Sequence, residues 1–248
     1  MWRASALDPH QVRLLRAVRD RFDLHPLVIH VNYLINLASL DPVIRAKSIV
    51  AFRGELERAH AIGAEYLVLH PGSYKGATVE QGIAAFVLGL RDAAAHLPAH
   101  QVTVLLENTA GAGSHLGSRF EELKSMRDLA GELTGLSIGY CLDTCHLLAA
   151  GFDIATQVGL RDTLRSGQAL LGLDNVHVIH ANDSKFPLAS HVDRHANIGE
   201  GHIGADAFLR ILTHPKLRSK PFILETPVDQ EGDDRRNLDK LKSLAVRL

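Results

Sequence analysis

Six apolar runs in this chain, at 27–30, 66–70, 102–107, 138–143, 176–180 and 222–225, each stop at a residue that can bind a cation: His30, His70, Glu107, Asp143, His180 and Glu225. The intervals between those terminal residues run from 36 to 45 positions. A strand, a turn, a helix and a return need about that length, so the spacing predicts repeated strand-plus-helix units. Parallel strands of one sheet deliver their last residues to the same edge, where α/β barrels and open α/β sheets keep their chemistry. The pattern predicts an α/β fold whose metal site is assembled from many strand ends.

A chain of 248 residues that is 46% hydrophobic can bury one sizeable core, and the expectation is a single domain over residues 1–248. There is no uninterrupted apolar run of about 18 residues, and the start MWRASALDPH lacks the charged-then-apolar layout of a signal peptide. The reading is a soluble, intracellular protein with no membrane partner. Cys141 and Cys145 are too few for a disulfide framework and make a poor zinc signature, so they read as reduced and structural. A net charge of −1 excludes a global basic field, so any nucleic-acid contact must use local cations. Histidine, at 15 residues, is the unusual count, because neutral imidazole is the commonest metal ligand.

Asp8-Pro9 reads as an N-cap and first helical position, with Leu14, Leu15, Val18 and Phe22 following at helical spacing. Further helices are predicted at 43–62, 79–96, 119–133, 154–171, 205–213 and 233–246. The polar, Gly-rich segment 181–203 reads as a functional loop. At an average pitch of about 39 residues, eight units would need roughly 310, and six strands are visible. The helix at 8–22 reads as belonging to a unit whose strand is absent, so the expected barrel is N-terminally incomplete.

Each candidate ligand has an ordinary alternative. In CLDTCH, Asp143 and His146 converge if a helix begins after Thr144; alternatively Asp143 is an N-cap and His146 a first-turn residue. Asp193 and His195, two apart in an extended segment, point the same way and can grip one divalent ion, or they belong to a solvated loop. Glu107 and Glu225 end very apolar runs, where a free carboxylate is costly unless a cation is near. His30, His70 and His180 could each be a core or rim histidine; their joint occurrence at equivalent strand ends favours a polymetal site. His177, of opposite strand parity to His180, and His191 and His202, which lack a partner spacing, are left out, and Asn182 and Asp183 are placed behind the ligands.

The segments HVNYLINL (30–37), LHPGS (69–73), LENTAGAGSHLG (106–117), CLDTCHLLAAGFD (141–153), HANDSK (180–185), VDRHANIGEGHIG (192–204) and LETP (224–227) together resemble endonuclease IV, the zinc-dependent apurinic/apyrimidinic endonuclease family. The resemblance covers nearly the whole chain in order. It implies a TIM (β/α)8-type barrel of the xylose-isomerase-like superfamily, here lacking the first two strands, and three zinc ions, with Mn2+ admissible at one site. It assigns His30, His70 and bridging Glu107 to one zinc, Glu107, Asp143, His180 and Glu225 to a second, and His146, Asp193 and His195 to the third. It also implies hydrolysis of the phosphodiester 5′ to abasic sites in double-stranded DNA, with Glu107 as the catalytic carboxylate and the protein acting as a monomer. Tyr33 and Leu34 match the loop that enters the duplex at the lesion, and Lys75, Lys185 and Arg194 are candidate phosphate contacts. Two other readings stay open: a two-metal sugar isomerase or epimerase of the same superfamily, which needs no third group, and a family member without turnover.

Overall fold

The computed structural model describes residues 6–95, 97 and 102–246. The chain divides into two compact units. One holds residues up to 106 with 114–116 and 124–139, and the other holds 107–113, 117–123 and 140 onward.

The first unit opens with α1 (Pro9–Phe22), capped by the Asp8 side chain, which accepts from His10 N. β1 (Val28–His30) follows, then α2 (Pro42–Ile62), β2 (Tyr66–Leu69), α3 (Val79–Ala94) and β3 (Thr103–Glu107). β1 to β2 and β2 to β3 are parallel, as strand-helix-strand crossovers require. Each long helix starts and stops on a local signal. Asp41 caps α2 and Gly63 ends it in the left-handed region, while Thr78 and Gln81 form a capping box on α3. Leu37, Phe52, Leu56, Leu67, Leu69, Phe86, Leu90 and Leu105 are fully buried and make this unit's core. α1 departs from its apolar spacing, because Leu14, Leu15, Val18 and Phe22 are exposed. It is held instead by Arg19, which is buried and donates to both Glu65 oxygens at 2.9 and 2.8 Å and to Gly63 O at 2.7 Å. A charge-assisted fork, rather than a leucine stripe, docks this helix.

α4 (Phe120–Thr134) and β4 (Ile138–Asp143) pass from one unit to the other. The second unit continues with α5 (Thr144–Ala150), α6 (Gln157–Leu170), a 3-10 turn at Leu173–Asn175, β5 (Val176–His180), the two-residue strands β6 (Asp183–Ser184) and β7 (His195–Ala196), α7 (Ala205–Thr213), β8 (Phe222–Ile223) and α8 (Asp233–Ala245). β4 to β5 and β5 to β8 are parallel, and Asp143 stands beside His180 in register. All six residues of β4 are buried, which matches strands covered on both faces. Phe120 stacks on Phe152 at 4.3 Å between ring centroids, and Tyr140, Val178 and Phe208 complete the core.

Element boundaries agree with the predicted ones to within a few residues, with two informative differences. The last strand stops at Ile223, so Glu225 lies beyond it, held by a hydrogen bond from its N–H to Asn182 Oδ1 at 2.8 Å. The segment 181–203 contains the antiparallel pair β6 and β7. The predicted end of α3 at residue 96 falls outside the described residues.

Candidate metal centre

Strand ends and one helix start build the centre in the second unit. β3 ends at Glu107, fully buried; β4 ends at Asp143, also fully buried; β5 ends at His180. Ligand atoms of Glu107, Asp143, His180 and Glu225 lie within 4.8 Å of one another. His180 Nδ1 is 2.9 Å from Glu107 Oε1 and 3.2 Å from Glu225 Oε2. A second group, Asp143, His146 and His195, meets the same limit. Asp193 joins it, with Oδ2 3.2 Å from His146 Nε2 and Oδ1 3.2 Å from His195 Nε2.

Asp143 takes both roles that its sequence left open. It is the N-cap of α5, its Oδ1 accepting from His146 N at 2.7 Å, and the same turn brings the His146 ring over it. The ring nitrogens are aimed by backbone carbonyls. His146 Nδ1 lies 2.9 Å from Asn108 O and His195 Nδ1 lies 2.8 Å from Glu225 O. A carbonyl can only accept, so each Nδ1 carries the hydrogen and each Nε2 is turned toward Asp193. His195 Nε2 faces two carboxylates, Asp193 Oδ1 at 3.2 Å and Asp143 Oδ2 at 3.9 Å, a donor set that a divalent cation would suit.

Four carboxylates, Glu107, Asp143, Asp193 and Glu225, converge here with three imidazoles. Burial disfavours the imidazolium forms, yet the carboxylates outweigh it. His146, beside Asp143, Asp193 and Glu107, is pushed up to about 10, and His195, beside Asp193 and Asp143, to about 9. His180 is raised further still, chiefly by Glu107 against the same burial, and Asp193 is driven down, burial being overcome by His146 and His195. A buried surplus of negative charge wants divalent cations, and an oxygen-plus-imidazole donor set suits zinc. Cys141 and Cys145 are free and buried, and burial pushes both thiols up to about 12, so they stay neutral.

These raised values carry a stability consequence. A histidine whose folded pKa exceeds its ordinary value stabilises the fold fully below that ordinary value, about 6.5, and loses the contribution as pH rises through the folded pKa. The metal-free protein is therefore expected to melt at progressively lower temperature as pH passes from about 6.5 to about 10. Added zinc should flatten that slope, and a differential scanning series with and without zinc measures it.

Three residues behind the ligands hold them in place, and only two of these figured in the sequence reading. Asn108 Oδ1 accepts from Asp143 N at 2.7 Å while its Nδ2 donates to Asp143 O at 3.2 Å. Asn182 Nδ2 donates to Asp143 Oδ2 at 2.5 Å and to Glu225 Oε2 at 3.4 Å. Asp183 organises the loop after His195, accepting from the backbone N–H groups of Ser184, Gly199, Gly201, Ile203 and Gly204 at 2.8 to 3.2 Å. Gly201 must lack a side chain, because a Cβ there would sit 2.3 Å from Ser184 O. Replacing Asp183 by Asn sets a donor against donors, and a loss of about 3 kcal/mol in urea unfolding is expected. Asn108 directly follows a strand-end ligand, and that adjacency was the only signal that could have found it. Of the residues left out, His191 Nδ1 lies 3.1 Å from Ala110 O, and His202 N donates to Ser184 O at 2.8 Å.

The first unit holds the remaining candidates. His30 and His70, at the ends of paired strands, meet edge-on with ring centroids 5.2 Å apart, and His30 Nδ1 lies 2.8 Å from Val31 O. Tyr33 is 87% exposed in the turn after β1, beside Leu34, whose N–H bonds Asn32 Oδ1. Lys75 is exposed in the turn after β2. In the second unit Lys185 and Arg194 are exposed beside the β6/β7 pair, Lys185 directly after β6 and Arg194 directly before β7, joined by Lys185 N donating to Arg194 O at 2.9 Å.

The chain matches the xylose isomerase-like TIM barrel family over residues 1–244. The chain is 78% identical over 245 residues to the probable endonuclease 4 of Solibacter usitatus, covering 99% of this chain and 84% of that relative. The chain belongs to the endonuclease IV family. A solved endonuclease IV from Thermus thermophilus, 37% identical, superposes with a TM-score of 0.83 over 98% of this chain and 84% of that one. A D-tagatose 3-epimerase-like protein, 21% identical with a TM-score of 0.73 over 96% of this chain and 83% of that one, shares the fold. The protein is thus a TIM-barrel enzyme, a hydrolase of the endonuclease type. Among the described residues no helix is long and apolar enough to cross a membrane.

Proposed function

We propose that this protein repairs DNA by hydrolysing the phosphodiester 5′ to abasic sites in duplex DNA, leaving a 3′-hydroxyl and a 5′-deoxyribose phosphate, with three zinc ions per chain. The observation that carries the reading is the convergence of Glu107, Asp143, His180 and Glu225 beside His146, Asp193 and His195. It occurs in a chain so similar to proteins named endonuclease 4. A two-metal isomerase has no use for the second of those groups.

Residue by residue, the family pattern puts His30, His70 and Glu107 on one ion, Glu107, Asp143, His180 and Glu225 on the next, and His146, Asp193 and His195 on the third. Zinc bound there supplies Lewis-acid activation of water and of the phosphodiester. Glu107, wholly buried, would belong to two of these ion sites and would orient the attacking water. Asn108 and Asn182 keep Asp143 and Glu225 from turning away. Asp193 is half exposed while Glu107 and Asp143 are fully buried, so the centre has a dry floor and a wet rim where a phosphate can arrive. Arg194 and Lys185 meet the DNA backbone from that rim, Lys75 adds a further phosphate contact, and Tyr33 with Leu34 enters the duplex where the base is missing. With a net charge near zero, these local cations carry the attraction to DNA. The enzyme works as a monomer in the cytoplasm, on the nucleoid.

The test is a duplex carrying one abasic analogue, incubated with the purified protein with and without chelator. A chelator-sensitive nick 5′ to the analogue supports the reading, and no nick removes it. Metal analysis separates the alternatives, with about three zinc ions per chain for the nuclease and one or two for an isomerase.

A further inference from the structure

A groove of about 780 Å3 runs between α6 and α7 in the second unit and has no part in the metal centre. Its floor is apolar, made by Leu160, Leu164 and Leu173. Its rim carries Arg161, Arg165, Arg210 and Lys216, and among the described residues no carboxylate lines it. The acidic groups nearest by contact are Asp162, which Arg161 and Arg165 share at 3.0 and 3.3 Å, and Asp153, which feels Arg210. Asp174, which follows Leu173, acts with Lys216 on Lys220, so five cations stand against three carboxylates and leave the rim positive in a protein whose total charge is −1. Arg210 donates one Nη2 hydrogen bond to Ala155 O, while its Nε is buried with no partner.

The groove's position separates it from the substrate. The metal residues sit at the C-terminal ends of β4 and β5, whereas the groove reaches Leu173, before β5 begins, and His214 to Lys216, before β8 begins. It therefore opens along the helices toward the opposite ends of the strands. DNA held at the metal centre has no need of it. A sugar-phosphate backbone would answer the cations and leave the leucine floor unused, whereas an acidic peptide with an apolar side chain answers both.

We propose that this groove is a docking site for an acidic protein segment carrying an apolar anchor, with the anchor on Leu160, Leu164 and Leu173 and the carboxylates on Arg161, Arg165, Arg210 and Lys216. Such a contact would tether the nuclease to a partner while its catalytic face stays open to DNA.

The probe is a fluorescein-labelled peptide of aspartates around two central phenylalanines, titrated with the full chain at low salt and followed by anisotropy. Saturable binding with a dissociation constant of about 10 µM is expected, weakened by added salt. The double variant Arg165→Glu/Lys216→Glu, altered at exposed positions, should weaken it at least about tenfold, with cleavage of abasic duplex and melting temperature unchanged. Changing both peptide phenylalanines to serine should cost about the same factor. Absence of binding, or binding indifferent to either change, overturns the assignment. So does a result in which the double variant loses affinity for a plain DNA duplex while the peptide is unaffected, because the groove would then be a nucleic-acid surface.

Discussion

Replacing Glu107 by Gln is expected to lower cleavage of an abasic duplex by at least about a thousandfold while leaving the protein folded. The side chain is wholly buried at the end of an apolar strand, with Oε1 2.9 Å from His180 Nδ1. The amide has the same shape and keeps an oxygen acceptor for that contact, so packing survives. What disappears is one negative charge at the point where the proposal has two ions sharing a ligand. In the metal-free state that loss also relieves crowding among four carboxylates, so the melting temperature should stay within a few degrees of the parent. Cleavage measured on gels, melting and metal content together decide the matter. Retained cleavage would remove Glu107 from the chemistry, and an unfolded variant would show that the charge is structural.

Removing metal should have the other large effect. An ion held a thousandfold above its dissociation constant stabilises the folded state by about 4 kcal/mol, which for a domain of this size is about 10 °C per site. The carboxylate surplus explains why the protein tolerates the loss at all. With ions gone, His146 and His195 keep their protons to about pH 10 and 9 and stand in as weaker counter-charges. Chelated protein should therefore remain folded near neutral pH, melt many degrees lower and cut nothing, and stoichiometric zinc should restore both properties. A chelated sample that melts with the untreated one would refute the cation requirement inferred from the burial of Glu107 and Asp143.

Much of the centre is legible in the sequence. Periodicity announced the strands, and the last residue of each apolar run announced what reaches the edge, because parallel strands deliver their ends to one side of the sheet. Asp143 and His146 were legible as a pair since a capped helix start brings residues three apart together. Less visible were the residues that aim the ligands. Asn108 follows Glu107 with no spacing of its own, and its contact with Asp143 spans 35 positions. The Asp183 clamp closes on N–H groups 16 to 21 residues away, and nothing local marks a carboxylate for that task. The apolar stripe of α1 misled in the other direction, since helical spacing says which residues share a face and not what that face meets.

By itself the sequence determined the alternation of strands and helices, the caps that start and stop them, and the chemical types delivered to strand ends, because these depend on backbone geometry and on neighbours a few residues apart. Only the tertiary structure decided which nitrogen of each imidazole faces the centre, how buried each carboxylate is, and therefore how strongly the site demands a cation. Those properties are sums over groups from β3, β4, β5 and the loops after them, brought together in space and separated in sequence by more than a hundred residues.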